Sequence, residues 1–220
     1  MSFEGFSDEG LVFYEGLEAD NSKTYWQRNR AAYDAHVRAP LLALLQELAA
    51  EFGPAKVFRP YRDVRFSHDK TPYKTHQGAV VTPEGRGAGS WYLQISADGL
   101  HVAGGCWRSE SDQVARYRRA VVDPVQGARL EQEVGRLERG GWSIGGDRLT
   151  RVPAGSAAGA ERLDLLKHKS LHATKTWEPQ DLLHDRRALD EVRGSWRDLQ
   201  TLNAWLADNV GATTKDVRRR

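Results

Sequence analysis

The 220-residue sequence predicts a single α+β domain, a central, mostly antiparallel sheet flanked by N-terminal and C-terminal helices. Apolar residues recur every three or four positions up to Phe52 and again from Leu189 to Leu206, which is helical spacing. From Val57 to Trp107 they alternate instead, which is strand spacing. No internal repeat and no Pro- or Ser-rich linker separates two cores, so residues 1–210 are expected to form one globular unit. A disordered basic tail, 211–220, follows and ends in Arg218-Arg219-Arg220.

Taken in order, Ser7 is positioned to cap a first helix running to about Ala19, with Asp8 and Glu9 in its first turn. Trp26, Tyr33 and Val37, then Leu41, Leu44, Leu45, Leu48 and Phe52, mark a long helical stretch. Pro40 kinks it or starts a new helix, and Gly53-Pro54 ends it. Four strands are expected over Val57 to Phe66, Gly78 to Thr82, Trp91 to Ser96 and Leu100 to Gly104, with Ala97-Asp98-Gly99 as a tight hairpin connection. The Gly85 to Ser90 loop is rich in glycine. It lacks the following helix and the Lys-Ser or Lys-Thr pair that a phosphate-cradling loop needs.

Ser109 and Asp112 read as a capping box opening a helix with Val114, Tyr117 and Val121, and Asp123-Pro124 starts the next, stopped by Gly140-Gly141. Ile144 to Leu149 reads as a small hairpin, Ala154 to Ala160 as a surface loop, and Leu163 to Lys167 as a short helix leading into a strand from Ser170 to Thr174. One amphipathic helix, carrying Leu189, Val192, Trp196, Leu199, Leu202 and Leu206, closes the domain.

The composition is 40% hydrophobic and 28% charged, an ordinary globular balance, and the formal net charge is only +2, which gives weak support to polyanion binding. A lone cysteine, Cys106, excludes an internal disulfide and suits a reducing compartment. With no apolar run long enough to span a membrane, and no secretory signal at the start, the expected location is cytoplasmic.

The densest chemistry lies from Arg62 to His76. Read as a strand, Val64 and Phe66 face one way while Asp63 and Arg65 face the other, and Asp69-Lys70-Thr71-Pro72 makes a turn that leaves Lys70, Tyr73 and Lys74 at its mouth. The run Arg62-Asp63-x-Arg65-Phe66-Ser67-x-Asp69-Lys70-x-Pro72-Tyr73-Lys74 resembles the signature of an uncharacterised bacterial conserved protein family, domain of unknown function 2461. Asp20-Asn21 before Tyr25-Trp26, Gly104-Gly105-x-Trp107, and Leu165-Leu166-Lys167-x-Lys169-Ser170 fit the same resemblance, which covers Phe6 to Val210. The chain departs from the usual pattern at Asp20, Lys23 and Tyr25. The resemblance implies no activity.

The residues point to an anion-binding pocket. Arg65 would offer a bidentate fork to phosphate or carboxylate and Lys70 mobile charge, with Asp63 orienting an arginine and Tyr73 donating a hydrogen bond. Arg62, Asp69 and Lys74 complete that wall, Gly104, Gly105 and Trp107 form an adjacent edge, and Lys169 could close the far side. Trp26, Trp91 and Tyr92 are either further aromatic surfaces or core.

Asp63 and Asp69 could instead act as paired carboxylates for acid and base work or for Mg²⁺, though across a strand and a turn they need not converge. His168 and His172 straddle a helix end, no His-Glu-x-x-His is present, and His68 and His76 read as turn residues, so no metal or other cofactor is expected. Cys106 reads as a small core residue.

The expected function is thus the binding of a phosphate- or carboxylate-bearing small molecule at the Arg62 to Lys74 hairpin; whether it is catalytic is not legible. One alternative is nucleic-acid binding through the hairpin and tail. The other is a protein-interaction module whose signature is only a salt-bridge lattice. The sequence is silent on oligomeric state.

Overall fold

The structure, a computed structural model, describes residues 2–83, 87–151, 162–178 and 181–215. The first part of the glycine-rich loop, the 154–160 loop and the Arg218 to Arg220 tail lie outside the described residues.

Helix α1 (Asp8–Ala19) follows Ser7 as the sequence predicts, but Ser7 does not cap it through its side chain. Its hydroxyl lies 2.9 Å from His36 Nδ1 instead. The next helix, α2 (Lys23–Tyr33), is capped by Ser22, whose Oγ accepts the Tyr25 N–H at 3.1 Å. A π-helical turn, Asp34–Arg38, joins it to α3 (Ala39–Phe52). Pro40 sits in the first turn of α3 directly after this wider turn, and the backbone stays right-handed helical through Arg38 and Ala39, so the helical run passes through it without a fresh start.

The strands are β1 (Lys56–Val57), β2 (His76–Val81), β3 (Ser90–Ser96), β4 (Gly99–Cys106), β5 (Ser143–Gly145) and β6 (Leu171–Trp177). They form one open antiparallel sheet in the order β1-β2-β3-β4-β6-β5. On β3 the alternation is clear: Trp91, Leu93 and Ile95 are buried, Tyr92 and Gln94 half-exposed.

Four sequence expectations need correction. The strand from Val57 to Phe66 stops at Val57, and only an isolated bridge, Tyr61 to Tyr73, continues the pairing. Phe66 is 96% exposed. Pro60 offers no N–H, and the Asp63 carboxylate accepts the Arg65 N–H, which turns the chain.

The expected hairpin at Ile144 to Leu149 is absent: β5 pairs with β6, Ile144 opposite Ala173. The capping box of α4 (Ser111–Val122) is Glu110 with Gln113, not Ser109 with Asp112. The last helix is two, α7 (Arg187–Asp198) and α8 (Gln200–Asn209), broken at Leu199.

Asp123 caps α5 (Pro124–Arg139) through the N–H groups of Val125 and Gln126 as expected, and α6 (Leu163–Leu166) forms where a short helix was read. Residues 211–215, the start of the expected tail, are held against α4. Asp112 accepts the Thr214 N–H at 2.9 Å, and Arg116 donates to the Val210 and Ala212 carbonyls, each at 2.6 Å.

The chain forms two compact units. One comprises Met1–Val81, Tyr92–Val102 and Thr176–Ser195, the other Thr82–Trp91, Ala103–Lys175 and Trp196–Arg220. The first buries Leu17, Leu41, Leu44, Leu48, Leu93 and Leu100, and the second Leu130, Leu137, Leu171, Trp196 and Leu202.

Candidate functional site

The site grows from the connection between β1 and β2 in the first unit. Tyr61 and Tyr73 face each other across it, flanked by hydrogen bonds from the Arg62 N–H to Pro72 O at 2.9 Å and from the Lys74 N–H to Pro60 O at 2.8 Å. Tyr61 and Tyr73 are therefore a non-hydrogen-bonded pair, and the N–H and C=O of Tyr73 point away from Tyr61. Both are met by one side chain: Asn21 Nδ2 donates to Tyr73 O at 3.0 Å, and Asn21 Oδ1 accepts the Tyr73 N–H at 3.1 Å. The Tyr73 ring is buried and stacks on Trp26, with centroids 4.4 Å apart and planes 7° apart. Gln77, 1% exposed, fixes the other end of the connection. It donates to Phe58 O at 2.7 Å and accepts the Tyr33 hydroxyl at 2.6 Å.

Above this root the charges pair with one another. Arg65 Nε and Nη2 donate to the two oxygens of Asp63 at 2.9 and 2.7 Å. Arg62 donates to Asp69 and to the Thr71 hydroxyl, Asp69 also accepts the Thr71 N–H at 2.9 Å, and Lys70 Nζ donates to Val64 O at 3.0 Å. The guanidinium of Arg65 and then its N–H hold the Asp63 carboxyl down at about 2. That of Arg62, followed by the Thr71 N–H, does the same for Asp69. Each carboxylate has its own arginine, so Asp63 and Asp69 do not work as a pair.

Below the lattice lies a cavity of about 400 Å³ whose wall includes Asn21, Arg62, Asp69, Thr71, Lys74, Thr75 and His76, with the exposed Glu18 at its rim. The Tyr73 residue also contributes to the wall, whereas Asp63, Arg65 and Lys70 do not. Lys74 is half-buried, and its ammonium stands 5.2 Å from the centroid of the Phe58 ring. Burial, and secondarily Arg59, lower its pKa. No carboxylate among the described residues lies within ion-pair distance of it, in contrast to Arg62 and Arg65. His76, read from sequence as a turn residue, opens β2; burial, then Lys74 and His101, favour its neutral form.

Gly104, Gly105, Trp107 and Lys169, also expected at the site, belong to the second unit. Gly105 has φ +133°, and a Cβ there would come within 2.4 Å of Leu171 O, so glycine lets β4 pass close to β6. A Cβ on Gly104 would meet Leu199 Cδ1 at 2.8 Å, a packing contact. Trp107 stacks on His172 at 5.3 Å with planes 9° apart, and the exposed Lys169 follows the bridge of His168 to Arg148. Trp26 and Trp91 are core, while Tyr92 is half-exposed. Cys106 is buried, its thiol donating to Arg108 O at 3.2 Å.

Among the described residues, no group of three His, Cys, Asp or Glu side chains could hold a metal ion, and no helix is long and apolar enough to cross a membrane. The residues missed from sequence are Thr75, His76 and Phe58. Their signal was proximity to Lys74 in a connection read as strand and turn.

Fold and site together define an α+β protein built around a side-chain-clamped, charge-dense connection at the edge of its sheet. Residues 9–205 match the model of the conserved hypothetical protein family DUF2461, and the chain belongs to that family. No curated protein matches it.

Proposed function

We propose that the protein binds a small molecule bearing a phosphate or carboxylate in the cavity beside Lys74. The half-buried Lys74 ammonium, without a carboxylate partner among the described residues, carries this reading. A cation drawn partly out of water gains more from an anion than an exposed one does. Thr75 adds a hydroxyl donor on the same wall, and the neutral imidazole of His76 adds a donor or an acceptor.

The self-paired lattice supports a structural role for Asp63 and Arg65, which shape the hairpin from outside the wall, while Asp69, on the wall, is held by Arg62. Titration calorimetry with inorganic phosphate and with short dicarboxylates tests both halves. Lys74→Met should abolish binding with the fold intact, whereas Arg65→Ala should lower the melting midpoint and leave the affinity within about twofold, since an exposed pair away from the wall contributes little there. Equal binding by wild type and Lys74→Met, or no binding of any of these anions at millimolar concentration, would overturn the reading.

A further inference from the structure

Beside the cavity, on the same unit, three rings follow one another across the half-exposed face of the sheet. Phe58 lies beneath the Lys74 ammonium, Tyr92 of β3 is 6.3 Å from Phe58 with planes 34° apart, and His101 of β4 is 6.2 Å beyond, edge-on at 67°. The opposite face of β3 supplies the core through Leu93 and Ile95, so burying these three rings is not what the core requires.

Tyr92 reaches across β2 over Gly78, where a Cβ would come within 2.6 Å of its hydroxyl. That hydroxyl donates to Gln94 Oε1 at 2.6 Å, and burial pushes its pKa up to about 12, so it stays a neutral donor. His101 Nδ1 is fixed by the Thr176 hydroxyl at 2.8 Å. Rings already held in place lose little further freedom when a planar ligand is laid against them. A sheet face carrying aromatic side chains stacks nucleobases without needing to read their edges.

We infer that Phe58 and Tyr92 form a stacking platform, and that the anion held beside Lys74 belongs to a nucleotide-like ligand, a phosphate ester carrying an aromatic base. The inference rests on the cavity reading above and adds the ligand class. Lys74 stands at the Phe58 end of the row, so phosphate and base are addressed in the order in which a nucleotide presents them. The Gln94 Nε2 amide, with no partner among the described residues, remains as a donor to a base or sugar acceptor.

Calorimetry at fixed ionic strength with inorganic phosphate, ribose phosphate, adenosine monophosphate and uridine monophosphate tests it. The nucleotides should bind about tenfold or more tightly than ribose phosphate, the increment that base stacking supplies. Tyr92→Leu, away from the Lys74 ammonium, should remove most of that advantage and keep the affinity for phosphate, while Tyr92→Phe should retain both. Saturation-transfer NMR on the wild-type protein should mark base protons more strongly than ribose protons, which guards against a leucine variant that misfolds.

Equal affinity for nucleotide and ribose phosphate would overturn the platform and leave the anion site standing, whereas failure of every phosphate would remove both. A nucleotide preference that survives Tyr92→Leu would also overturn it. So would binding of a short oligonucleotide, steeply dependent on salt, without binding of the monomers.

Discussion

Replacing Asn21 by alanine should uncouple the hairpin root from the helices. Asn21 is the partner of both the N–H and the C=O of Tyr73, at 3.1 and 3.0 Å, while Tyr61 opposite bonds neither. Each hydrogen bond contributes a net ~0.5–1.5 kcal/mol, and a group left half-buried without a partner adds part of its desolvation cost, so the loss should total about 2–4 kcal/mol. Urea unfolding at neutral pH measures it, and a cost below about 0.5 kcal/mol, the range of inert surface changes, would refute the clamp.

The companion variant Asn21→Asp keeps the acceptor for the Tyr73 N–H but turns a second carboxylate oxygen toward the Tyr73 carbonyl. Only the protonated acid can donate there, so the folded state should raise the new carboxyl's pKa. A raised folded pKa places the added stability below it and removes that stability as pH rises through it. The deficit of Asn21→Asp should therefore shrink on acidification. A deficit independent of pH would mean that the Nδ2–carbonyl bond contributes nothing.

Gly105→Ala should be severe, because its Cβ would overlap Leu171 O at 2.4 Å and His172 Cα at 2.5 Å while the backbone holds φ +133°. Strain and overpacking at ~1–3 kcal/mol each give a loss of about 2–6 kcal/mol, and thermal unfolding showing less than about 1 kcal/mol would contradict the close approach. In acid the hairpin should loosen before the fold. Asp63 and Asp69 are depressed from 3.8 to about 2, so their contribution is complete above the ordinary value and is lost as pH falls from about 4 through about 2. Hydrogen exchange at the Arg65 and Thr71 amides, which donate to these carboxylates, should accelerate over that window relative to intrinsic rates, and constant protection would contradict the lattice.

What was legible in the sequence was local. Trp91, Leu93 and Ile95 alternate because one face of β3 is buried, and Asp123-Pro124 announces α5 through a side-chain cap and a residue that needs no donor. The misreadings share a cause, long-range partners that outbid a local pattern. Gly145-Gly146 has turn composition, yet Gly145 pairs opposite His172, and Gly146, at φ +127°, carries the chain past the Ser170 carbonyl. The apolar stripe runs unbroken through Leu199 because both halves of the last helix are buried. The break there coincides with Arg136 Nη2 taking the Asp198 carbonyl at 2.5 Å, a contact 62 residues distant in sequence. At the site, the residue types from Arg62 to Lys74 advertised charge, but only the fold shows which charges are already matched. The pairing of Arg62 with Asp69 depends on a turn that the alternation of Val64 and Phe66 disguised as strand.

That matching decides how the protein looks from a distance. Of the charged side chains between Arg62 and Lys74, Arg62 with Asp69 and Arg65 with Asp63 make two closed dipoles, and the net field of the region is that of Lys70 and Lys74 alone. Dipoles fade faster than monopoles, and at physiological salt even monopoles are screened beyond ~8 Å. This charged stretch thus exerts little pull on passing anions. Encounter should be close to unsteered, with an association rate that changes little with ionic strength, and discrimination is left to the dwell time of whatever reaches Lys74.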